Sequence, residues 1–345
     1  MQSRSPRAHV PCLPRKFLMT ANRLFGPSLL LLLSVPFASS AASAEPSLAE
    51  AVKKLDAKYL GLPDLEAKDT APKIDVGGGE EEATPAPKEI AQGAVKASLT
   101  YIEEKSEDGD VTRVPVVTIS ADGKEVAKLE GDNTGFADPP LSVQIAEMDA
   151  SNRYPEVVVS FYSGGAHCCS ATSVVEASPD GETWATVDVG EFDGGPLLAT
   201  DLDGDGRYEF APRDNAFLYA FACYACSVAP LEVLAVEGGA AKNVTEDPRF
   251  KPAHQAALKG IIDEVPEEEV NGFLAGYVGE KILLGEGKAA WDLMLTYYDK
   301  TSDWGLETCD KPFDANGECP GETIKLTFPD ALERMLKENG YKVEK

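Results

Sequence analysis

Three strand-and-turn segments recur at a fixed interval in the middle of the chain, and this repeat restricts the fold more than any other feature. Val117–Gly123, Val175–Gly181 and Val233–Gly239 each place an apolar run before an Asp-Gly or Gly-Gly pair, and they begin 58 residues apart. Such pairs tolerate positive φ and favour tight hairpin turns. A fixed period of this length is typical of repeated β units. We therefore predict β structure over residues 94–246, as propeller-like blades or as packed β units.

The N-terminus has the pattern of a secretory signal peptide. Five basic residues and no acids precede an apolar run at 29–38, which is shorter than the roughly 20 apolar residues that span a bilayer. Ala42-Ser43-Ala44 then fits the small-x-small rule for cleavage. We expect cleavage after Ala44 and a periplasmic or secreted protein. No later segment is long and apolar enough to predict a transmembrane helix.

The segments on either side of the β region have different patterns. Residues 46–59 carry apolar side chains on one helical stripe, and the stretch from there to residue 93 is rich in Gly, Pro and Glu. Such a stretch cannot bury enough apolar surface to fold. After residue 246 the apolar spacing becomes helical, with a strand at 323–328 and a last helix at 330–339.

The predicted fold class is therefore α+β overall, with a mainly β repeat domain followed by an α-helical C-terminal region. Each division follows from a change in composition or periodicity along the chain. The predicted divisions are a signal peptide at 1–44, a short helix and disordered linker at 45–93, the β-repeat domain at 94–246, and the helical region with a disulfide loop at 247–345.

The charge balance excludes one large class of function. The chain holds 32 basic and 58 acidic side chains, and removal of the predicted signal peptide leaves 27 against 58, a net charge of −31. Because nucleic-acid binding requires a basic surface, we exclude it. Docking on anionic lipid is disfavoured for the same reason. An acidic surface favours solubility, and some of these acids have a spacing that suits a cation.

One acidic segment has the spacing of a calcium-binding loop. Residues 201–209 read D-x-D-x-D-G-x-x-E, which turns three alternate carboxylates toward one point. Ca²⁺ takes roughly six to eight oxygen ligands in this kind of arrangement, with glycine at the sharp turn. The segment departs from an EF-hand because Pro212 stands where that motif has glutamate. The alternative is an acidic turn that folds without an ion. The predicted ligands are Asp201, Asp203, Asp205, the backbone carbonyl of Arg207, and Glu209.

A second acidic segment, Asp149–Glu156, is a shortened version of the first. It keeps the first and last carboxylates but lacks two carboxylates and the glycine. We interpret it as a relic with weak or no ion binding.

Both acidic segments resemble the calcium loop and following strand of FG-GAP/VCBS-type repeats, which occur in integrin-like β-propellers. The resemblance lies in DLDGDGRYEF and MDASNRYPEVVV, and SPDGETW is similar to the Asp-box hairpin of some propellers. It covers a small part of the chain, and the Phe-Gly and Gly-Ala-Pro signatures are absent. The resemblance implies a propeller with calcium at the blade edges, used for adhesion or binding. It also implies Asp201, Asp203, Asp205 and Glu209 as ligands.

The exported part of the chain keeps six cysteines: Cys168, Cys169, Cys223, Cys226, Cys309 and Cys319. An even number in an exported protein favours disulfides. The first two and the middle two occupy equivalent places in neighbouring repeats, so we expect two disulfides between the repeats, with the pairing left open. The last two are expected to close one loop. With His167, the first four could instead bind zinc or copper, or act in thiol redox chemistry.

Three aromatic residues alternate along a predicted strand at 217–221. Phe217, Tyr219 and Phe221 fall on one face, with small and aliphatic residues opposite. We interpret this face as sheet packing, with a ligand-stacking surface as the alternative.

The sequence contains no recognisable nucleophile-and-base arrangement. Its exported part has two histidines, His167 and His254, and no G-x-S-x-G, H-E-x-x-H or Walker motif. The leading hypothesis is a non-enzymatic binding or scaffolding protein with a structural Ca²⁺ and a protein or glycan of the cell envelope as partner. One alternative is an envelope hydrolase acting on glycan or peptide through paired carboxylates. The other is a metal-binding or thiol-redox protein built on His167 and the four neighbouring cysteines.

Overall fold

A computed structural model describes residues 45–63, 70–77, 88–105, 111–165, 169–314 and 318–345. The predicted signal peptide, His167 and Cys168 lie outside these ranges. The chain divides into two units, Met1–Glu45 and Pro46–Lys345. Among the described helices, none is both long enough and apolar enough to cross a membrane.

Two antiparallel sheets pack against each other in the first part of the second unit. Their strands are β1 (Lys73–Val76), β2 (Lys88–Gln92), β3 (Val95–Lys105), β4 (Val111–Ala121), β5 (Lys124–Glu130), β6 (Leu141–Ala146), β7 (Glu156–Tyr162), β8 (Ser170–Ala177) and β9 (Trp184–Phe192). One sheet has the order β2-β3-β4-β5 and the other β1-β6-β7-β8-β9. The facing surfaces bury alternate apolar residues, such as Val117 and Ile119 of β4 against Val143 and Ile145 of β6. This alternation is what sheets packed on one face require.

A smaller third sheet covers the outer face of the five-stranded sheet. It consists of β10 (Ala199–Thr200), β11 (Glu209–Phe210), β12 (Leu234–Val236) and β13 (Ala241–Asn243), paired in that order. Phe210 and Val236 pack against Val158 and Val174 in one buried cluster. The five-stranded sheet is therefore buried on both faces, which is why Val157–Val159 is a continuous apolar run.

Six helices among the described residues form the second core. They are α1 (Leu48–Leu55), α2 (Ala57–Leu60), α3 (Lys251–Asp263), α4 (Val270–Leu283), α5 (Gly287–Tyr297) and α6 (Phe328–Glu338), with a hairpin of β14 (Glu307–Cys309) and β15 (Thr323–Lys325) before α6. Ser47 and Glu50 form a capping box that begins α1. Helix α4 is apolar around most of its circumference. Gly272 and Gly276 allow the segment 222–230 to lie directly against it, since a side chain at either position would collide with that backbone.

The helical core contains a fully buried ion pair. Lys281 of α4 binds Asp56, which lies between α1 and α2, and both side chains are almost completely inaccessible. The Tyr277 hydroxyl also donates to Asp56 at 2.5 Å. Glu286 binds Lys281 from the other side and accepts a hydrogen bond from Tyr59 at 2.7 Å. This network attaches the N-terminal helices to α4.

A second buried pair connects α3 to α4. His254 Nδ1 lies 2.7 Å from Glu280 Oε1, and its Nε2 lies 2.9 Å from the carbonyl of Thr245. The other oxygen of Glu280 accepts the backbone N–H of Leu231 at 2.8 Å. His254 is thus a buried residue that joins α3 to α4 and to the segment that follows β13.

The structure confirms the α+β class and decides between the two predicted β arrangements. The predicted turns occur after β4, β8 and β12, with positive φ at Gly123, Gly181 and Gly238. The three hairpins, however, lie in three different sheets. The described strands form open sheets stacked in layers and no ring of blades, so packed β units are the observed form.

The prediction of a disordered linker is wrong at two places. Lys73–Val76 is an edge strand with Ile74 opposite Val143, and Lys88–Gln92 is an edge strand paired with β3. Only Ile74 and Val76 mark the first strand, and its partner lies nearly seventy positions away, so composition could not show it. The linker residues 64–69 and 78–87 lie outside the described ranges.

The aromatic segment at 217–221 is not a strand. Asn215–Phe217 is a short 3₁₀ turn, and Tyr219 has φ of +59°. This left-handed residue turns Tyr219 outward to 48% exposure, whereas Phe217 and Phe221 enter the helical core. The two phenylalanines therefore pack against helices, not within a sheet.

Candidate metal centre

The predicted calcium loop connects β10 to β11. Thr200 pairs with Glu209 and Ala199 with Phe210, so the intervening residues 201–208 form a closed hairpin loop. Gly204 and Gly206 have φ of +81° and +90°, which allows the backbone to reverse within the loop. The sharp turn predicted at the glycine of this loop is confirmed, and short strands flank it.

The loop brings three carboxylates together. Oxygens of Asp201, Asp203 and Asp205 all lie within 4.8 Å of one another. Asp201 is only 5% exposed, and its two oxygens accept the N–H groups of Gly204 at 2.7 Å and Gly206 at 3.2 Å. These backbone hydrogen bonds fix the first carboxylate, while Asp203 and Asp205 lie progressively nearer the surface.

Glu209 closes the loop from the buried side. It is 4% exposed and accepts the N–H of Leu202 at 3.2 Å. Burial, and then the charges of Asp203, Asp205 and Asp201, raise the pKa of Glu209 to about 7. Glu209, the fourth acid of the loop, is therefore partly protonated and partly ionised near neutral pH.

Two arginines lie beside the loop. Arg207 binds the Asp205 carboxylate and lowers its pKa. Arg249, from the segment that precedes α3, lies 3.4 Å from Asp203 and 3.7 Å from Asp205. The loop spacing predicts a role only for the backbone carbonyl of Arg207, and no local pattern predicts Arg249, which lies 46 positions from Asp203.

The loop lies where the β region meets the helices. Leu202, inside the loop, packs in a buried cluster with Val233, Phe250 and Ala253. On its other side the loop borders an open cleft of about 550 Å³, lined also by Thr70–Pro72, Glu147 and Tyr208. The loop therefore contacts the helical region on one side, through Leu202, and borders the cleft on the other.

The shortened loop Asp149–Glu156 has a related arrangement between β6 and β7. Glu156 is fully buried and accepts the N–H groups of Met148 at 2.6 Å and Asp149 at 3.2 Å. Burial raises the pKa of Glu156 to about 7. Asp149 accepts the N–H of Ser151 at 2.9 Å, as Asp201 accepts that of Gly204. The first and last carboxylates therefore have the same roles in both loops.

The cysteines pair differently from the prediction. Cys309 and Cys319 are bonded, as expected for one closed loop. Cys223 and Cys226 are bonded to each other, so the expected disulfides between repeats are wrong. The 58-residue offset that suggested them relates hairpins of different sheets, so the two cysteine pairs are not structural equivalents. Cys169 is also disulfide-bonded, and the predicted His167–Cys168 part of the cluster lies outside the described residues.

A second cleft, of about 610 Å³, lies between the third sheet and the helices and holds Asp214 and Glu232. Asp214 accepts the N–H of Ala216 at 2.9 Å and the hydroxyl of Tyr341 at 2.7 Å. Glu232 accepts the side-chain amide of Asn243 at 2.6 Å. These carboxylates are thus engaged in hydrogen bonds that hold the fold.

Comparison with known proteins shows which family the chain belongs to. Residues 253–340 match the model described as the sll0997 C-terminal domain, which covers α3 to α6 almost completely. The chain is also 40% identical over 257 residues to the probable thylakoid lumen protein sll0997 of Synechocystis sp. (strain PCC 6803), an alignment that spans 73% of this chain and 75% of the relative. The chain belongs to the sll0997 family.

A second relative is longer than this sll0997-family chain. Protein y4bJ of Sinorhizobium fredii (strain NGR234) is 31% identical over 259 residues, which is 73% of this chain but 40% of the relative. No solved structure matches the chain significantly. In this sll0997-family member the matched helical domain carries Lys281 and the buried pair of His254 and Glu280, while Asp56 and the acidic loops lie before it.

Proposed function

We propose that this sll0997-family chain is an exported, non-enzymatic binding or scaffolding protein that is stabilised by Ca²⁺ at Asp201–Glu209. The observation that carries the proposal is the convergence of three aspartate carboxylates within 4.8 Å, with a buried glutamate behind them. Without an ion, such a group repels itself. All donors are oxygens, which suits a hard cation such as Ca²⁺. The likeness of the loop to FG-GAP/VCBS calcium loops supports the same ion.

The role proposed for Ca²⁺ is structural. Arg207 and Arg249 supply two positive charges beside Asp203 and Asp205, but neither is in an ion pair with Asp201 or Glu209 within the described part of the chain. An ion on the loop would neutralise the inner pair. It would also hold Leu202 in the cluster that joins the β region to Phe250 of the helical region.

Export rests on two independent observations. The sequence begins with the pattern of a signal peptide. A relative with 40% identity is named as a probable thylakoid lumen protein. The thylakoid lumen receives exported proteins and is in this respect comparable to the periplasm. We therefore place this chain in such a compartment, with a protein or glycan of the envelope as its partner.

Thermal unfolding tests the proposal. The purified protein is melted in saturating Ca²⁺ and in EDTA, and we expect a higher Tm with Ca²⁺. Asp203→Asn/Asp205→Asn should lose the larger part of this difference. Asp292→Asn/Asp303→Asn removes two exposed charges, at 62% and 81% side-chain exposure, and should leave it intact. Equal Tm values in both conditions for the wild type would refute the calcium proposal.

A further inference from the structure

The cleft between the third sheet and the helices has a size that suits a small organic ligand. Its volume is about 610 Å³, within the range of roughly 300–1,000 Å³ that is typical of ligand pockets. Its lining residues come from the two segments that meet at the bridge between Arg213 and Leu231, from the end of β13 and the residues after it, from the end of α4, and from the segment after α6. Distant parts of the chain therefore meet around one preformed cleft.

Two carboxylates, those of Asp214 and Glu232, lie side by side on one wall of this cleft. Arg213 is opposite Leu231 in an antiparallel bridge, and the backbone N–H groups of Asp214 and Glu232 donate across the bridge at 3.0 and 2.9 Å. In this register the two acids occupy diagonal positions on the same face, since alternate residues of paired segments share a face. Both residues line the cleft.

Neither of these carboxylates has a basic partner among the described residues. The basic residue in the lining is Lys342, and it pairs with Glu246. Oε1 of Glu232 accepts the side-chain amide of Asn243, whereas its Oε2 accepts no hydrogen bond within the described residues. Burial, followed by the charge of Asp214, raises the pKa of Glu232. The wall therefore carries an unbalanced negative charge, which a cation would stabilise.

Apolar side chains line the same cleft. Ile282 and Leu283, at the end of α4, are half-buried there. The ring of Tyr341 packs edge-on against Phe217, with ring centroids 5.5 Å apart, and its hydroxyl donates to Asp214 at 2.7 Å. A ligand that complements these walls therefore has a cationic head for the carboxylates and a hydrocarbon body for the apolar side chains.

We propose that this cleft binds a primary alkylammonium group between Asp214 and Glu232. An ammonium has three N–H donors, so one group can donate to both carboxylates. The same chemistry occurs on a free aliphatic diamine and on the lysine side chain of a partner protein. The proposal goes beyond the calcium-stabilised scaffold by naming the chemistry of a ligand. It is independent of the Asp201–Glu209 loop, because the cleft and the loop share no residue.

The first test is calorimetric titration of the full chain in saturating Ca²⁺ with three probes. The probes are diaminobutane, a lysine capped at both its amino and carboxyl ends, and butanediol as the neutral isostere of the diamine. We expect saturable binding of an amine and none of the diol. Tighter binding of the diamine identifies a free amine as the source, and tighter binding of the capped lysine identifies a partner protein. No saturable binding of either amine, or equal binding of the diol, overturns the proposal.

The second test removes one carboxylate. Glu232→Gln keeps an acceptor for Asn243 but loses the charge, so the Kd of the amine should rise roughly tenfold or more. Glu237→Gln, a 39% exposed side chain outside the cleft, should leave Kd unchanged, as should Asp203→Asn/Asp205→Asn. An unchanged Kd in folded Glu232→Gln overturns the site. The diol comparison needs no variant, so it decides the proposal even if Glu232→Gln does not fold.

Discussion

The helical region and the acidic loops of the β region both bury acids, but they differ in how those acids are neutralised, although elsewhere in the β region Arg113 pairs with the buried Asp138 at 2.8 Å. In the helical region Lys281 binds Asp56, and His254 binds Glu280. In the β region, three buried glutamates form no ion pair with lysine, arginine or histidine among the described residues: Glu156, Glu176 and Glu209. The difference teaches that the buried acids of the helices have basic side chains as partners, whereas under the calcium proposal the acidic loops would take their cation from solution. The stability of the two regions should therefore respond differently to calcium, mutation and pH.

The largest expected effect is in the helical region. Lys281→Met leaves Asp56 buried without its cation, and breaking such a pair costs about 3–5 kcal/mol. Urea unfolding should show this loss equally in Ca²⁺ and in EDTA. Lys288→Met, which removes an exposed pair 3.8 Å from Asp292, should cost less than about 0.5 kcal/mol. Similar losses in the two variants would mean that the buried pair adds nothing to stability.

The next effect is in the β region and depends on the ion. At a Ca²⁺ concentration about 100 times Kd, a bound ion adds about 2.7 kcal/mol to the free energy of unfolding. Asp203→Asn/Asp205→Asn should lose this increment in Ca²⁺. In EDTA it removes both the repulsion among the acids and their ion pairs with Arg207 and Arg249, so its stability there should change by less than this increment. Denaturant titrations in both conditions measure the difference. A variant that is destabilised equally in both would indicate hydrogen bonds, not an ion, as the role of these aspartates.

A smaller effect concerns pH and His254. Burial disfavours the charged ring, but its hydrogen bond to Glu280 outweighs burial and raises the pKa of His254. A raised pKa in the folded state gives stability that is full below the unfolded value of about 6.5 and is lost as pH rises through the folded value. In EDTA, the free energy of unfolding should thus fall from pH 6 to pH 9. His254→Gln should flatten this dependence, and an unchanged slope would count against the assignment.

The smallest expected effect is on stability in acid and concerns Glu286, whose side chain is 27% exposed. Burial opposes its ionisation, yet hydrogen bonds from Lys281, Lys58 and Tyr59 lower the pKa of Glu286 to about 2. A lowered pKa gives stability that is present above the unfolded value of about 4.3 and is lost as pH falls through about 2. Acid unfolding of Glu286→Gln should therefore lose less stability across that window than acid unfolding of Glu338→Gln, an exposed control.

Local chemistry made part of this fold predictable. The apolar stripe at 46–59, the Asp-Gly turn after β4 and the acidic spacing at 201–209 each act over a few residues, and the structure contains a helix or turn at each. The end of α6 at Asn339 also followed from an Asn-Gly pair.

Contacts between distant segments were not predictable. Arg249 reaches Asp203 across 46 positions, and Gly238 donates its N–H to Asp149 of the shortened loop across 89 positions. The 58-residue repeat suggested equivalent units, yet its hairpins lie in different sheets, and the disulfide pairing inferred from it was wrong. A periodic sequence predicts where turns occur. The order of strands in a sheet depends on packing between distant segments, which a single sequence does not reveal.

The central claim is that the Asp201–Glu209 loop binds Ca²⁺, and isothermal titration calorimetry of the EDTA-stripped protein tests it most directly. We predict saturable binding, with one component lost in Asp203→Asn/Asp205→Asn and retained in Asp292→Asn/Asp303→Asn. Absence of saturable binding, or binding unchanged by Asp203→Asn/Asp205→Asn, would contradict the account.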